Sequence, residues 1–137
     1  MNYENRITPD NITELKENEI FVFGSNLAGR HGAGAALLAV EKFGAIYGEG
    51  KGFMGQSFAI PTKDRQIETF PLIRIQLYID FFVICALHSK DKIFLVTQIG
   101  CGLAGYTPKD IAPLFKDCID LENVYLPKEF WEVLDEM

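Results

Sequence analysis

Apolar residues fall along this chain in short bursts separated by glycine-rich or charged punctuation. Ile20-Phe21-Val22-Phe23 is a continuous run rich in aromatic and β-branched residues and ended by Gly24, the pattern of a strand buried on both faces. Ala35 to Phe43 is built from good helix formers and stops at Gly44, a natural C-terminal cap. The segment from Ala45 to Gln56 holds Gly48, Gly50, Gly52 and Gly55, so it reads as a mobile or tightly turned connection. Ser57-Phe58-Ala59-Ile60-Pro61 predicts a second strand. Ile73, Leu77, Phe81, Ile84 and His88 recur three or four residues apart, which predicts a core helix from about Phe70 to Ser89. Lys92 to Thr97 reads as a third strand. Thr107-Pro108-Lys109-Asp110 supplies an N-cap, a proline in the first turn and an acid, predicting a helix to about Ile119. Asn123 to Leu126 closes the series as a strand, and Pro127 opens a short helix through Leu134.

Strands alternating with helices predict an α/β fold, a three-layer α/β/α sandwich around a mostly parallel mixed sheet. In such sheets ligands bind beyond the carboxyl ends of the strands. Three polar or glycine-rich segments fall there: Gly24-Ser25-Asn26, Thr62-Lys63-Asp64 and Gly100 to Tyr106. Parallel strands would bring them to one crevice. No internal repeat or low-complexity linker divides the chain, so residues 1–137 are expected to form a single domain.

Composition narrows the chemistry. With 137 residues, 48% of them hydrophobic, the chain suffices for one core. Its net charge of −6 and lack of any basic run argue against binding the nucleic-acid backbone. A small anion remains acceptable, because helix N-termini and backbone amides hold one without net positive charge. Cys85, Cys101 and Cys118 are odd in number and lack CxxC spacing, which fits reduced thiols in a cytoplasm. The N-terminus has no signal pattern, and Leu72 to Leu87 is too short and too polar to span a bilayer, so no membrane association is expected. Two distant histidines and no cysteine pair give no support for a metal, and no cofactor is expected.

The strongest candidates for chemistry are two glycine-rich turns, Phe23 to Ala36 and Ile99 to Tyr106. Glycine lets backbone N–H groups approach a ligand closely, so a pair of such turns suggests a diphosphate gripped from two sides. Leu37 stands where a third glycine would complete GxGxxG, and no GKS or GKT is present, which disfavours a Rossmann cofactor and a P-loop nucleotide. The plainer alternative is that these glycines serve only helix-to-sheet packing. Arg30 could pair with a phosphate and His31 could act as general acid or base, unless both sit on a solvated loop tip. Cys101, between glycines near candidate anion-binding amides, could be an activated thiol or a small residue that fits under the loop. Lys63-Asp64 could place a phosphate contact and a base at a strand end, or form a surface turn. His88 reads as a helix C-cap, and Phe130, Trp131 and Leu134 in the acidic tail read as packing residues.

In order and spacing these elements resemble the macro domain, an α/β module that binds ADP-ribose. The likeness runs from about Asp10 to Leu126. It rests on Phe23-Gly24-Ser25-Asn26, on Gly29-Arg30-His31-Gly32-Ala33-Gly34-Ala35-Ala36, on Ala59-Ile60-Pro61-Thr62, and most specifically on Ile99-Gly100-Cys101-Gly102-Leu103-Ala104-Gly105-Tyr106. Asn11-Ile12-Thr13 stands about where the family has an Asp-Ile-Thr turn whose acid contacts adenine. Three departures mark a divergent branch of the phage or bacterial kind. Asn11 replaces the adenine-contacting acid, with Asp10 beside it. Ala33 stands about where hydrolases of the family carry an aspartate. Gly24-Ser25-Asn26 lacks the family's alanine-rich turn.

The resemblance implies a small-molecule nucleotide partner. Gly100, Cys101, Gly102, Leu103, Ala104, Gly105 and Tyr106 would wrap the diphosphate and distal ribose, with Tyr106 against the ribose. Asn26 would bond the distal ribose hydroxyls, with Gly24, Ser25 and Thr62 beside it. Arg30, Gly32, Ala33 and Gly34 would close the opposite side, and Asn11 and Ile12 would meet the base. A binding module for ADP-ribose or a related nucleotide diphosphate is the leading expectation, with weak hydrolysis open through Asn26, His31 or the ligand's own phosphate. A dedicated de-ADP-ribosylating hydrolase and a non-enzymatic protein that sequesters a nucleotide signal are the alternatives. Oligomeric state is left open.

Overall fold

The computed structural model describes residues 1–137. Its elements are β1 (Glu19–Asn26), α1 (Gly34–Lys42), β2 (Gly52–Met54), β3 (Ser57–Lys63), α2 (Leu72–Leu87), β4 (Ile93–Val96), α3 (Pro108–Ile111), a 3-10 helix (Ala112–Cys118), β5 (Val124–Tyr125) and α4 (Lys128–Asp135). They form a five-stranded sheet in the order β2-β3-β1-β4-β5, parallel throughout except for the β2–β3 pair. The expected α/β class is therefore present, as a mostly parallel mixed sheet between helical layers.

β1 is central and buried on both faces. Ile20 and Val22 join Phe58, Ile60, Phe94 and Val96 in a large core that α2, the 3-10 helix and α4 cover. Phe21 and Phe23 point the other way and join Ala39, Phe43, Met54 and Ala59 in a smaller core under α1. Alternation along a strand sends neighbouring side chains to opposite faces, so one apolar run feeds two cores. Phe130, Trp131 and Leu134 lie in the larger core, in line with the packing role expected for the tail.

Three elements differ from the sequence reading. β2 lies inside the glycine-rich connection, where Gly52-Phe53-Met54 turns back antiparallel onto β3; the flanking glycines hid a strand only three residues long. The helix expected to run to Ile119 keeps its Thr107 start, with the Asp110 carboxylate accepting from both the Thr107 N–H and hydroxyl at 3.0 Å. It tightens to 3-10 geometry from Ala112, because Pro113 has no N–H to continue the α ladder. The third difference concerns α2: its buried residues are Ile75, Ile79, Phe82 and Ala86, whereas Ile73, Leu77, Phe81 and Ile84 face solvent.

The N-terminal segment is tied to the far edge of the sheet by Arg6. Its guanidinium donates to the carbonyls of Cys118, Ile119, Leu121 and Val124 at 2.6–2.9 Å, gathering the carbonyls that follow the end of the 3-10 helix. Trp131 packs against the guanidinium at 4.8 Å and donates its indole N–H to the Arg6 carbonyl at 2.8 Å, while Tyr3 stacks on the indole. Arg6→Ala strands the Ile119 and Val124 carbonyls, while those of Cys118 and Leu121 keep the Leu121 and Val124 N–H groups, and it should cost about 3 kcal/mol, read as a lower urea midpoint. Arg6→Lys should recover little of this, because an ammonium lacks the fork.

Candidate functional site

The carboxyl ends of β1, β3 and β4 open into one crevice of about 920 Å³. Gly24, Ser25 and Asn26 form its floor from β1, Thr62 and Lys63 enter from β3, and Thr97 to Ala104 follow β4. Gly32 to Ala36, at the start of α1, supply the opposite wall. The convergence expected from the strand pattern is thus present.

Each wall is held by bonds that leave its backbone amides free. The Asn26 side chain accepts from the Arg30 N–H at 3.0 Å and donates to the Arg30 carbonyl at 3.1 Å, pinching the first loop into a closed turn. The Ser25 hydroxyl donates to the Gly50 carbonyl, and Thr62 donates to the Ser25 carbonyl at 3.3 Å. Gly50 lies so close to the Asn26 carbonyl that a Cβ there would overlap it. On the far wall, the Tyr106 N–H closes the second loop onto the Gly100 carbonyl at 2.9 Å. The Tyr106 hydroxyl donates to the Phe70 carbonyl at 2.7 Å, and Thr69 donates to the Ala104 carbonyl at 3.3 Å.

With the loops so fixed, the N–H groups of Gly32, Ala33, Gly34, Ala35 and Ala36 have no acceptor in the protein, nor do those of Gly102, Leu103 and Ala104. α1 begins without a side-chain cap and without an acid in its first turn, so its positive end is unneutralised. Gly34 has φ +58°, a left-handed conformation that glycine adopts readily.

Charge follows the same plan. Arg30 and Lys63 both line the crevice, and no aspartate or glutamate does. Neither is ion-paired, since the molecule's one ion pair joins the Met1 amino group to Asp135. A cationic hollow edged with vacant amides is suited to an oxyanion. Ile67, also on the wall, holds φ +64°, a strained conformation for a β-branched residue. The Asp64 carboxylate builds that turn by accepting the Gln66 and Glu68 N–H groups at 2.9 and 3.0 Å. Lys63 therefore takes the crevice role expected of the pair, and Asp64 the turn role.

A smaller hollow of about 280 Å³ adjoins the crevice. Asp10, Asn11, Ile12, Phe21 and Leu38 line it, and it shares Gly34, Ala35, Thr97 and Gln98 with the main chamber. Asn11 and Ile12 thus stand at the site's second compartment.

Gly24, Ser25, Asn26, Arg30, Gly32, Ala33, Gly34, Thr62 and Gly100 to Ala104 line the crevice as anticipated. Three expectations need correction. His31 is 1% exposed and outside the lining. Its Nε2–H donates to the Glu49 carbonyl at 2.7 Å and its ring meets Phe23 edge-on, because residues 46–51 fold over it; it is neither a loop tip nor placed for proton transfer. Tyr106 and Gly105 are absent from the lining, the tyrosine being turned to Phe70 as an anchor. Asn26 lines the crevice, but its amide is already engaged by Arg30, so its first role is to shape the loop. Of the two readings of Cys101, the small residue under the loop is favoured over the activated thiol, because burial, then Asp110 and Glu129, push its thiol up to about 11. His88 caps α2 as expected, donating from Nδ1 to the Ile84 carbonyl at 2.9 Å.

Thr97, Gln98, Ala35, Ala36, Tyr47 and Ile67 complete the walls. Thr97 and Gln98 could have been found from their place at and just past the end of the predicted Lys92–Thr97 strand. Tyr47 and Ile67 carried no sequence signal, since each arrives by a fold-back of its loop. No group of histidine, cysteine or carboxylate side chains is clustered to hold a metal ion, and no helix is long and apolar enough to cross a membrane.

Compared with protein-family models, with curated proteins and with solved structures, the chain matches none.

The thiol environment has a direct readout. Cys101 should react with a disulfide reagent at pH 8 roughly tenfold more slowly than an ordinary thiol, accelerating as pH climbs toward about 11. Stopped-flow labelling, with Cys101→Ser identifying the phase, checks this.

Proposed function

We propose that the crevice binds ADP-ribose or a related nucleotide diphosphate, as a divergent macro-type module. The observation that carries this reading is the carboxylate-free lining: two unpaired cations and two rows of vacant amides in a chain of net charge −6. Two separate rows of vacant amides suit two linked phosphates better than one. The adjoining hollow, with Phe21 and Leu38 as apolar walls and Asp10 and Asn11 as polar groups, suits a heterocyclic base. The likeness of both glycine-rich turns to those of macro domains supports the same assignment.

A binding or sequestering role has more support than hydrolysis. The lining holds no carboxylate and no imidazole, and its thiol is held protonated, so turnover would depend on the ligand's own phosphate to orient water. Three unpaired cysteines support a reducing, cytoplasmic setting as part of this proposal.

Calorimetric titration with ADP-ribose, and with AMP, NAD and ribose 5-phosphate as comparators, tests the reading. Micromolar binding of ADP-ribose is expected, weakening as salt screens the two cations. Neither the Arg30 nor the Lys63 side chain bonds to the protein, so Arg30→Ala and Lys63→Ala should spare the fold. Each should lower affinity about tenfold. Gly102→Val should abolish binding without unfolding, because a Cβ at Gly102 meets open space. No binding of any of the four ligands would refute the assignment.

A further inference from the structure

α2 is apolar on two faces, and only one is covered. Ile75, Ile79, Phe82 and Ala86 are buried in the larger core. Ile73, Leu77, Phe81 and Ile84 repeat the same three- or four-residue spacing on the outer face, where Ile73 is 77% and Leu77 58% exposed. Leu87 continues the stripe toward the C-terminus. Phe53 on edge strand β2 widens it: Phe53 and Phe81 both pack on Phe58, at centroid distances of 4.9 and 5.9 Å.

We propose that this face is the two-fold interface of a homodimer, with α2 of one copy packed on α2 of the other. Area is the first argument. From their fractional exposures, the six side chains present on the order of 600 Å² of largely apolar surface, at the upper limit of what a monomer usually leaves open. A standard interface buries about 800 Å² per partner, roughly 65% of it apolar in homodimers, so the patch is large enough to be the core of one.

Charge selects the same occupant. Two copies of a chain with net charge −6 repel unless they meet where charge is sparse and balanced. The outer face carries one exposed carboxylate, Asp80, and one exposed guanidinium, Arg74, with the Lys51 ammonium 5.9 Å over the Phe81 ring, so the patch has no excess negative charge, and Asp80 already accepts from the Gln76 amide at 2.9 Å. Shape agrees as well. The patch is the ridge of a sixteen-residue helix and not a groove, so it meets a like ridge by interdigitation more readily than it cradles a peptide. None of the stripe residues lines the crevice, so pairing leaves the site of each copy open.

Sedimentation velocity of the full chain at micromolar concentrations tests this. The wild-type protein should sediment at twice the chain mass. Leu77→Glu and, separately, Ile73→Glu should each weaken association at least a hundredfold and sediment at the single-chain mass. Their circular dichroism should be unchanged, since neither side chain belongs to the core; if Leu77→Glu lowers the thermal transition, the more exposed Ile73→Glu decides. A wild-type protein at single-chain mass overturns the proposal and leaves the face to a different partner. A dimer that survives both substitutions overturns it equally.

Discussion

β1 runs through the middle of the sheet with no polar face to turn to water, and the helices and the crevice are placed by that burial. Its residues alternate between two cores, and its backbone pairs in parallel with β3 on one side and β4 on the other. A strand so placed must be apolar on both faces, and it obliges the helices to cover both sides of the sheet. It also aims three strands the same way, so the segments that follow them meet at one end. The crevice is a consequence of this arrangement before it is a property of any side chain.

What that end of the sheet then does is decided largely by main-chain groups. Ser25, Asn26, Thr62, Thr69 and Tyr106 spend their hydrogen bonds on carbonyls and on one another's loops, which fixes the turns while leaving N–H groups vacant. The close approach of Gly50 to the Asn26 carbonyl lets residues 46–51 seal His31 beneath them. Polar side chains thus hold the frame, and the frame presents amides, with Arg30 and Lys63 adding formal charge. An acidic protein can hold an anion in this way, because the negative charge is kept off one surface.

Much of this was legible in the sequence, for identifiable reasons. Ile20 to Phe23 announced a doubly buried strand because four consecutive apolar residues leave neither face polar, and the two glycine-rich turns marked the crevice because glycine lets loops bend sharply at strand ends. The failures are equally physical. His31 looked exposed between flexible neighbours, yet a loop distant by about eighteen residues covers it. Tyr106 looked like a ligand contact, but its hydroxyl found the Phe70 carbonyl. The periodic stripe Ile73, Leu77, Phe81 and Ile84 is helical as read, but periodicity does not say which of two apolar faces meets the core. That choice is made by the sheet, whose Phe58 and Phe94 receive Phe82.

On the proposed function, backbone amides at two loops, and not a catalytic side chain, define the site. Titrating the ¹⁵N-labelled protein with ADP-ribose and following its amide resonances tests that most directly. The largest shifts are expected at Gly34, Ala35, Ala36, Gly102, Leu103 and Ala104, with the α2 amides undisturbed. An unchanged spectrum, or shifts confined to residues outside the crevice, would contradict it.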